Sequence, residues 1–374
     1  MGWRIPVARP DIGAAELEAV QQVMASGWIT QGPKVRELEA GFARLCETRH
    51  AVATNTGTAA IHVALLALEI GPGDEVITTP LSCIASANPI VFQAARPVFA
   101  DVDPETYNVE VGEVEKRITS KTKAILPVHL FGHPVDLDPL LDLASRRGLP
   151  VIEDASQATG ALYKGRRVGS LGRVGCFSLY ANKIVTAGEG GMIVTQDPAL
   201  ADRMLAIRNF GQLPGQHFLH AYLGGNCKMT DLSASIGCVQ LAKIDAYIER
   251  RRQNVAALNA ALSDLPRLIE RLPPERPYAR AVYFGYHMLF RTATLRQRAE
   301  AALHAAGVET RPFFSLITDQ APYRALGFDP ADTPVAADLV ARGLYVSNSP
   351  DLTAEDRVLI VETLRAVARA GGVA

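Results

Sequence analysis

Between Val151 and Gly191 the chain reads VIEDASQATGALYKGRRVGSLGRVGCFSLYANKIVTAGEGG. Asp154 closes an apolar run, and Gln157 follows three residues later. A second apolar run ends in Phe177-Ser178. A single lysine, Lys183, stands five residues past that serine, before the turn Gly188-Glu189-Gly190-Gly191. Taken singly, Lys183 reads as an ordinary surface lysine and Asp154 as a turn or helix-capping aspartate. Taken together they offer an amine nucleophile, freed by burial between apolar strands, and a carboxylate able to hold a proton on a ring nitrogen.

A second polar cluster, Asn55-Thr56-Gly57-Thr58-Ala59, breaks the strand Ala51 to Thr54 into a helix with Ile61, Leu65 and Leu68 on its apolar face. A strand, a small-residue turn and a helix start make an anion site, because free backbone N–H groups and the positive end of the helix converge there. The same turn is also a simple threonine N-cap. The set matches what pyridoxal phosphate (PLP) asks of a protein. Lys183 would hold its aldehyde as an imine, and Asp154 would keep the pyridine nitrogen protonated so that the ring acts as an electron sink. Thr56, Gly57, Thr58 and Ser178 would cradle the phosphate. No GxGxxG or GxxxxGK[ST] fingerprint is present, which disfavours a Rossmann-type dehydrogenase and P-loop nucleotides.

These clusters sit in an alternating framework. Strands are expected at 51–54, 75–79, 97–102, 123–128, 150–153, 174–179 and 192–195. Helices are expected at 13–26, 35–45, 82–93, 112–118, 137–147 and 199–209. The rhythm predicts a mainly parallel sheet covered by helices on both faces, with ligands off the carboxyl ends of the strands. Thr56–Thr58 and Asp154 follow two such ends, so clusters far apart in sequence converge on one crevice. Residues 5–12 form an extended arm. Residues 210–226 are irregular and too long for a plain connector. One long helix is expected from Leu232 to Arg252, with Ile236, Val239, Leu241, Ile244 and Ile248 inward. The chain divides into a large domain, 1–248, and a smaller C-terminal α+β domain, 249–374. Trp28, beside Thr30-Gln31-Gly32, fits either a core anchor or a pocket wall.

The 374 residues are 48% apolar, enough for a large core, and the net charge of −1 gives no basic stripe for nucleic acid. No membrane-spanning run or secretory leader pattern is visible, and the five cysteines lack metal-ligand spacing. They read as reduced thiols of a cytoplasmic protein without structural zinc.

Asp154-x-x-Gln157, Phe177-Ser178-x-x-x-x-Lys183 and Gly188-Glu189-Gly190-Gly191 resemble the DegT/DnrJ/StrS sugar aminotransferase family, a branch of the fold-type I PLP enzymes. So do Ser26-Gly27-Trp28-x-Thr30-Gln31-Gly32, Thr56-Gly57-Thr58-Ala59-Ala60, Asp101-Val102-Asp103, Pro127-Val128-His129 and Asn226-x-Lys228-Met229-Thr230-Asp231. The resemblance covers nearly the whole chain. It implies an α/β fold with a mainly parallel seven-stranded sheet. It further implies Lys183 as the covalent anchor, Asp154 on the pyridine nitrogen, Gln157 near the ring hydroxyl, and Gly57, Thr58 and Ser178 on the phosphate. Asn226 would reach the phosphate of the neighbouring subunit's site, making a homodimer the working unit. Trp28, Thr30, Tyr180, Asn182 and Arg311 would face the substrate, although Arg311 alone also reads as a surface arginine.

The implied reaction moves an amino group, usually from L-glutamate, to a keto-sugar, usually nucleotide-linked, or to a keto-cyclitol. The loop Tyr180–Thr186 and Glu309–Phe314 are most similar to the perosamine-synthase-type branch, which aminates C4 of a GDP-linked 4-keto-6-deoxy sugar. Three positions depart from the pattern. Cys83 stands where many relatives stack an aromatic residue over the cofactor. Cys227 and Lys228 interrupt an Asn-aromatic-Arg-Met motif. Thr318 replaces a common histidine. The changes at 225–228 and 315–319 fall where substrate contacts are expected, which keeps the keto-cyclitol open. A non-catalytic PLP-binding regulator is the remaining alternative, and the intact Lys183, Asp154 and Ser178 weigh against it.

Overall fold

The computed structural model describes residues 2–213, 215–216 and 218–372. Seven strands carry the site: β1 (His50–Thr54), β2 (Glu75–Thr78), β3 (Arg96–Phe99), β4 (Thr122–Leu126), β5 (Ile152–Asp154), β6 (Val174–Ser178) and β7 (Gly191–Thr195). Four lie in the order β1-β7-β6-β5 and three in the order β3-β2-β4. Parallel bridges Ile125–Val151 and Val128–Asp154 join β4 to β5, so four plus three strands form one seven-stranded sheet. β7 runs against both neighbours, and the other pairings are parallel. The expected mainly parallel sheet is therefore present.

The sheet is buried on both faces because successive side chains point to opposite sides. Ala53, Ile77, Ile125, Phe177, Met192 and Val194 face a core closed by Val35, Leu38 and Phe42 of the helix Pro33–Cys46. Their neighbours Val52, Val76, Ala124, Ile152, Val174, Cys176 and Ile193 face the opposite core, closed by Ile61, Val63 and Leu65 of the helix Gly57–Ala67. Strands β1, β2, β4, β6 and β7 thus each supply both layers, which fixes their carboxyl ends from two sides.

A second, antiparallel sheet has the order β8-β9-β11-β10, with β8 (Ile269–Arg271), β9 (Tyr286–Phe290), β10 (Thr310–Pro312) and β11 (Gly343–Val346). Helices Ala293–Ala305 and Ala354–Ala370 flank its core. The chain crosses between cores along the helix Ile244–Leu262. Ile244 and Ile248 belong to the first core, and Val255, Leu258 and Leu262 to the second. Ile5 of the N-terminal arm also lies in the second core, bonded to Gly307 and Glu309.

Two local expectations change. The region 82–93 is not one helix but a 3₁₀ turn, Ile84–Ser86, followed by the short helix Asn88–Phe92. Pro89 has no N–H to continue an upstream helix, so it opens a new one instead. The single helix expected over 232–252 is two, Asp231–Ala242 and Ile244–Leu262, meeting at Lys243. On it Ile236, Val239 and Leu241 are half-buried rather than buried. In the first helix, Ala14–Ser26, Val23 is buried but Leu17 and Met24 are exposed. The buried side chain is Glu16, which accepts from Gly13 N at 2.9 Å, Gln240 Nε2 at 2.8 Å and Lys243 Nζ at 2.5 Å.

Among the described residues no helix is long and apolar enough to cross a membrane, and no cluster of His, Cys, Asp and Glu could hold a metal ion.

Candidate active site

Lys183 sits in the loop between β6 and β7. That loop is tied to itself: Lys183 N donates to Tyr180 O at 2.9 Å, Ala187 N to Leu179 O at 2.8 Å and Leu179 N to Gly190 O at 2.8 Å. The backbone therefore aims the lysine without using its amine. Lys183 Nζ lies 4.7 Å from the centre of the Phe284 ring and has no ion pair among the described residues. Burial pulls the amine below the ordinary lysine range, opposed by Cys83 and Asp154. A larger share of it is thus the uncharged nucleophile at neutral pH.

Asp154 ends β5 and is buried. Its Oδ2 accepts from Ser86 Oγ at 2.7 Å and its Oδ1 from Ser156 N at 3.0 Å. Ser82 Oγ lies 3.0 Å from Ser86 Oγ. The main chain is held as firmly, with Asp154 N donating to Pro127 O and His129 N donating to Asp154 O. Gln157 is buried, and its Oε1 accepts from Phe131 N at 2.9 Å. Phe131 itself sits at φ 52°, a conformation that side chains rarely adopt.

Thr56 caps the helix Gly57–Ala67, its hydroxyl accepting from Ala59 N at 3.0 Å. The expected N-cap is therefore present, and helix geometry leaves the other first-turn N–H groups without intrahelical partners. Gly57 cannot be larger: a Cβ there would stand 2.7 Å from Ser178 Cβ. That close approach brings the helix start against the Ser178 side chain.

These groups share one cavity of about 300 Å³ at the carboxyl ends of β1, β5 and β6. Thr56, Gly57, Thr58, Cys83, Asp154, Gln157, Ser178, Tyr180, Asn182 and Lys183 all line it. Four expected residues do not. Trp28 is exposed and donates its Nε1–H to Gln31 O at 2.9 Å. Thr30 O accepts from Asp231 N at 3.0 Å. Asn226 O accepts from Asn55 Nδ2 at 3.3 Å, and Arg311 pairs with Glu309 at 2.7 Å. Of the departures from the family pattern, Cys83 is exposed into the cavity. Lys228 Nζ donates to Asn209 Oδ1 at 2.6 Å, and Thr318 is buried with a hydroxyl that has no partner among the described residues.

Further lining residues escaped the sequence reading: Ser82, Ser86, Ser156, Phe284, Phe314 and Tyr345. The last three come from the C-terminal unit and carry no local motif. Ser82 and Ser86 lie four residues apart, the one local sign that both could face one side of a turn.

A lysine whose buried amine is pulled below its ordinary range, a hydrogen-bonded carboxylate and a helix start on one cavity define a PLP-dependent aminotransferase. The donor set suits that cofactor: the carboxylate for its ring nitrogen, the crowded Gly57–Ser178 contact for its phosphate and the Lys183 amine for its aldehyde. The chain belongs to the DegT/DnrJ/EryC1/StrS aminotransferase family, whose model matches residues 10–365. It is 39% identical over 364 residues to the GDP-perosamine synthase of Caulobacter vibrioides, covering 96% of this chain and 97% of the relative. Among solved structures, DesV of S. venezuelae superposes with a TM-score of 0.90 at 34% identity, covering 94% of both chains. A Streptococcus pneumoniae protein solved in PLP and PMP forms superposes with a TM-score of 0.93 at 28% identity, covering 98% of this chain and 99–100% of that one.

Proposed function

We propose that this aminotransferase transfers an amino group from L-glutamate to the keto carbon of a nucleotide-linked keto-sugar in amino-sugar biosynthesis. A GDP-linked 4-keto-6-deoxy sugar is the leading acceptor. The observation that carries the reading is the convergence of Lys183, Asp154 and the Thr56–Thr58 turn on one cavity. The GDP-perosamine synthase relative gives the acceptor class its support.

The bound cofactor would act as an electron sink for the substrate carbon. The chain's own residues do the rest. Lys183 Nζ would hold the cofactor's aldehyde carbon and, when its amine is free, would take the proton from the donor α-carbon. Asp154, held by Ser86 and Ser156, keeps the ring nitrogen protonated. The Thr56–Thr58 turn and Ser178 bind the phosphate. The net exchange would turn glutamate into its keto acid and the sugar's keto group into an amine.

The working unit in this proposal is a cytoplasmic homodimer. Leu17, Met24, Trp28 and Ile29 form an exposed apolar strip on the first helix and the turn after it, a surface that a second copy would cover. In the dimer Trp28, Thr30 and Asn226 would serve the neighbour's site, and Arg311 would meet the acceptor at the mouth. Cys83 supports a second acceptor reading. A thiol in place of a stacked ring leaves room for a keto-cyclitol.

The test is to load the protein with glutamate, add candidate acceptors and identify the product by mass spectrometry. An amino sugar formed from the GDP-linked keto-sugar is the expected result. Amination of keto-cyclitols alone would overturn the sugar assignment.

A further inference from the structure

Among the described residues, the charged side chains lining the active-site cavity are Asp154, Lys183 and Glu189. The proposed function uses the first two on the cofactor and leaves Glu189 without a role. Glu189 is exposed, and among the described residues it makes no ion pair and no side-chain hydrogen bond. A carboxylate on a cavity wall with no protein partner is free to bind what enters.

The turn that carries Glu189 is held from both sides. Gly188 N donates to Thr186 Oγ1 at 3.0 Å, and Thr186 Oγ1 donates to Leu179 O at 3.2 Å. Gly188 sits at φ 76°, a conformation that glycine adopts without strain. Past Glu189, Gly190 O accepts from Leu179 N at 2.8 Å. Gly191 then pairs with Thr54 of β1 and lies so close to Thr56 O that a Cβ there would clash. A fixed turn, anchored beside Thr56–Thr58, thus presents the carboxylate. Cys83 and Asp154 are the groups that act on the Lys183 amine. Glu189 is not one of them, so it stands apart from the reacting nitrogen.

The wall that the cofactor leaves free is otherwise uncharged. Phe284, Phe314 and Tyr345 supply apolar faces, and Tyr180 and Asn182 supply neutral polar groups. An ionised carboxylate only accepts hydrogen bonds, and its two oxygens suit neighbouring hydroxyls. The same charge repels a second carboxylate. A neutral, hydroxylated ring suits this wall, and an acidic one does not.

We propose that Glu189 reads the amino acceptor: it accepts hydrogen bonds from ring hydroxyls of the keto substrate and rejects acceptors that carry a carboxylate there. The inference rests on the transaminase reading of the same site. Glu189 is then a specificity residue for the second substrate, with no part in holding the cofactor. Its removal has opposite consequences for the two substrates. The hydroxylated acceptor loses a hydrogen-bond partner, whereas the dicarboxylate donor loses a repulsion.

The experiment uses the PLP-loaded protein, whose cofactor has no amino group to give to a keto-sugar. Calorimetry measures binding of a GDP-linked 4-keto-6-deoxy sugar, and absorbance gives the KM for cofactor conversion by L-glutamate. Both are compared in wild type, Glu189→Gln and Glu189→Ala. In Glu189→Ala the sugar Kd should rise at least about tenfold, while the glutamate KM should not rise. Glu189→Gln, which keeps one acceptor oxygen, should lie between. A sugar Kd in Glu189→Ala within about twofold of wild type overturns the proposal. Losses of equal size for sugar and glutamate also overturn it, because they mark a structural role. If wild type binds a keto-inositol and not the sugar, the sugar reading falls, and the same comparison on the keto-inositol decides this proposal. Wild type that binds neither acceptor overturns it. Wild type that binds the sugar through Glu189 but never converts its cofactor would sink the transaminase reading and leave this site standing.

Discussion

Ser86 Oγ donates to Asp154 Oδ2 across 2.7 Å, and Ser82 Oγ stands 3.0 Å behind it. The carboxylate proposed to hold the cofactor's ring nitrogen is thus oriented by a hydroxyl from the turn after β2 as well as by Ser156 N. Hydrogen bonds to charged groups contribute about 1.5–3 kcal/mol. Ser86→Ala should therefore weaken PLP binding about tenfold, measured by fluorescence titration of the apoprotein. Unchanged affinity would show that Ser156 N alone suffices.

The sheet was legible because its strands are apolar runs joined by short helices, which places Asp154 and the Thr56–Thr58 turn at strand ends. Lys183 was legible from its neighbours Phe177, Ser178 and Gly188–Gly191. Ser86 was hidden because Pro89 breaks what reads as one helix into two pieces, and that break turns Ser86 toward Asp154. Phe284, Phe314 and Tyr345 were hidden for another reason. Their place depends on the register of the second sheet, where Tyr286 meets Val346 and Arg311 meets Tyr345. Leu17 and Met24 follow helical spacing yet lie exposed, because within one chain Glu16 takes the inner face.

Glu153, one residue before Asp154, is fully buried against His129 at 3.0 Å. It also accepts from Gly169 N at 2.7 Å, Leu171 N at 2.8 Å and Gly172 N at 2.6 Å. Burial pushes its carboxyl up, but His129 and the backbone donors outweigh burial and hold it below the usual range. A lowered folded pKa means stability that is present above the unfolded value, about 4.3, and is lost as pH falls through the folded one. Glu153→Gln should cost about 3 kcal/mol at neutral pH and flatten the acid limb of a Tm-versus-pH curve. An acid limb of unchanged slope would contradict this.

Phe284 covers the Lys183 amine at 4.7 Å. Since burial is the leading cause of the lowered lysine pKa, Phe284→Ala should raise it. The pH profile for attaching PLP to the apoprotein should move to higher pH, because the free amine forms later on the way up. A profile shifted downward would show that burial by Phe284 is not what depresses the amine.

Gly57 has no room for a methyl group beside Ser178. Gly57→Ala must push the helix start away from Ser178 and should weaken binding of PLP about tenfold or more. Binding of pyridoxal, which lacks the phosphate, should change far less. Equal losses for both ligands would place the damage outside the phosphate cradle.

The central claim is that Lys183 holds the cofactor and passes it an amino group. The direct measurement is the absorbance spectrum of the PLP-loaded protein before and after L-glutamate, beside Lys183→Ala. Wild type should show the visible band of lysine-bound PLP and lose it to the pyridoxamine phosphate form when glutamate is added. The variant should lack that lysine-bound band. A wild-type protein that is reconstituted with PLP and shows no such band would contradict the role given to Lys183. A band unchanged by glutamate and by every other amino donor would contradict the transfer.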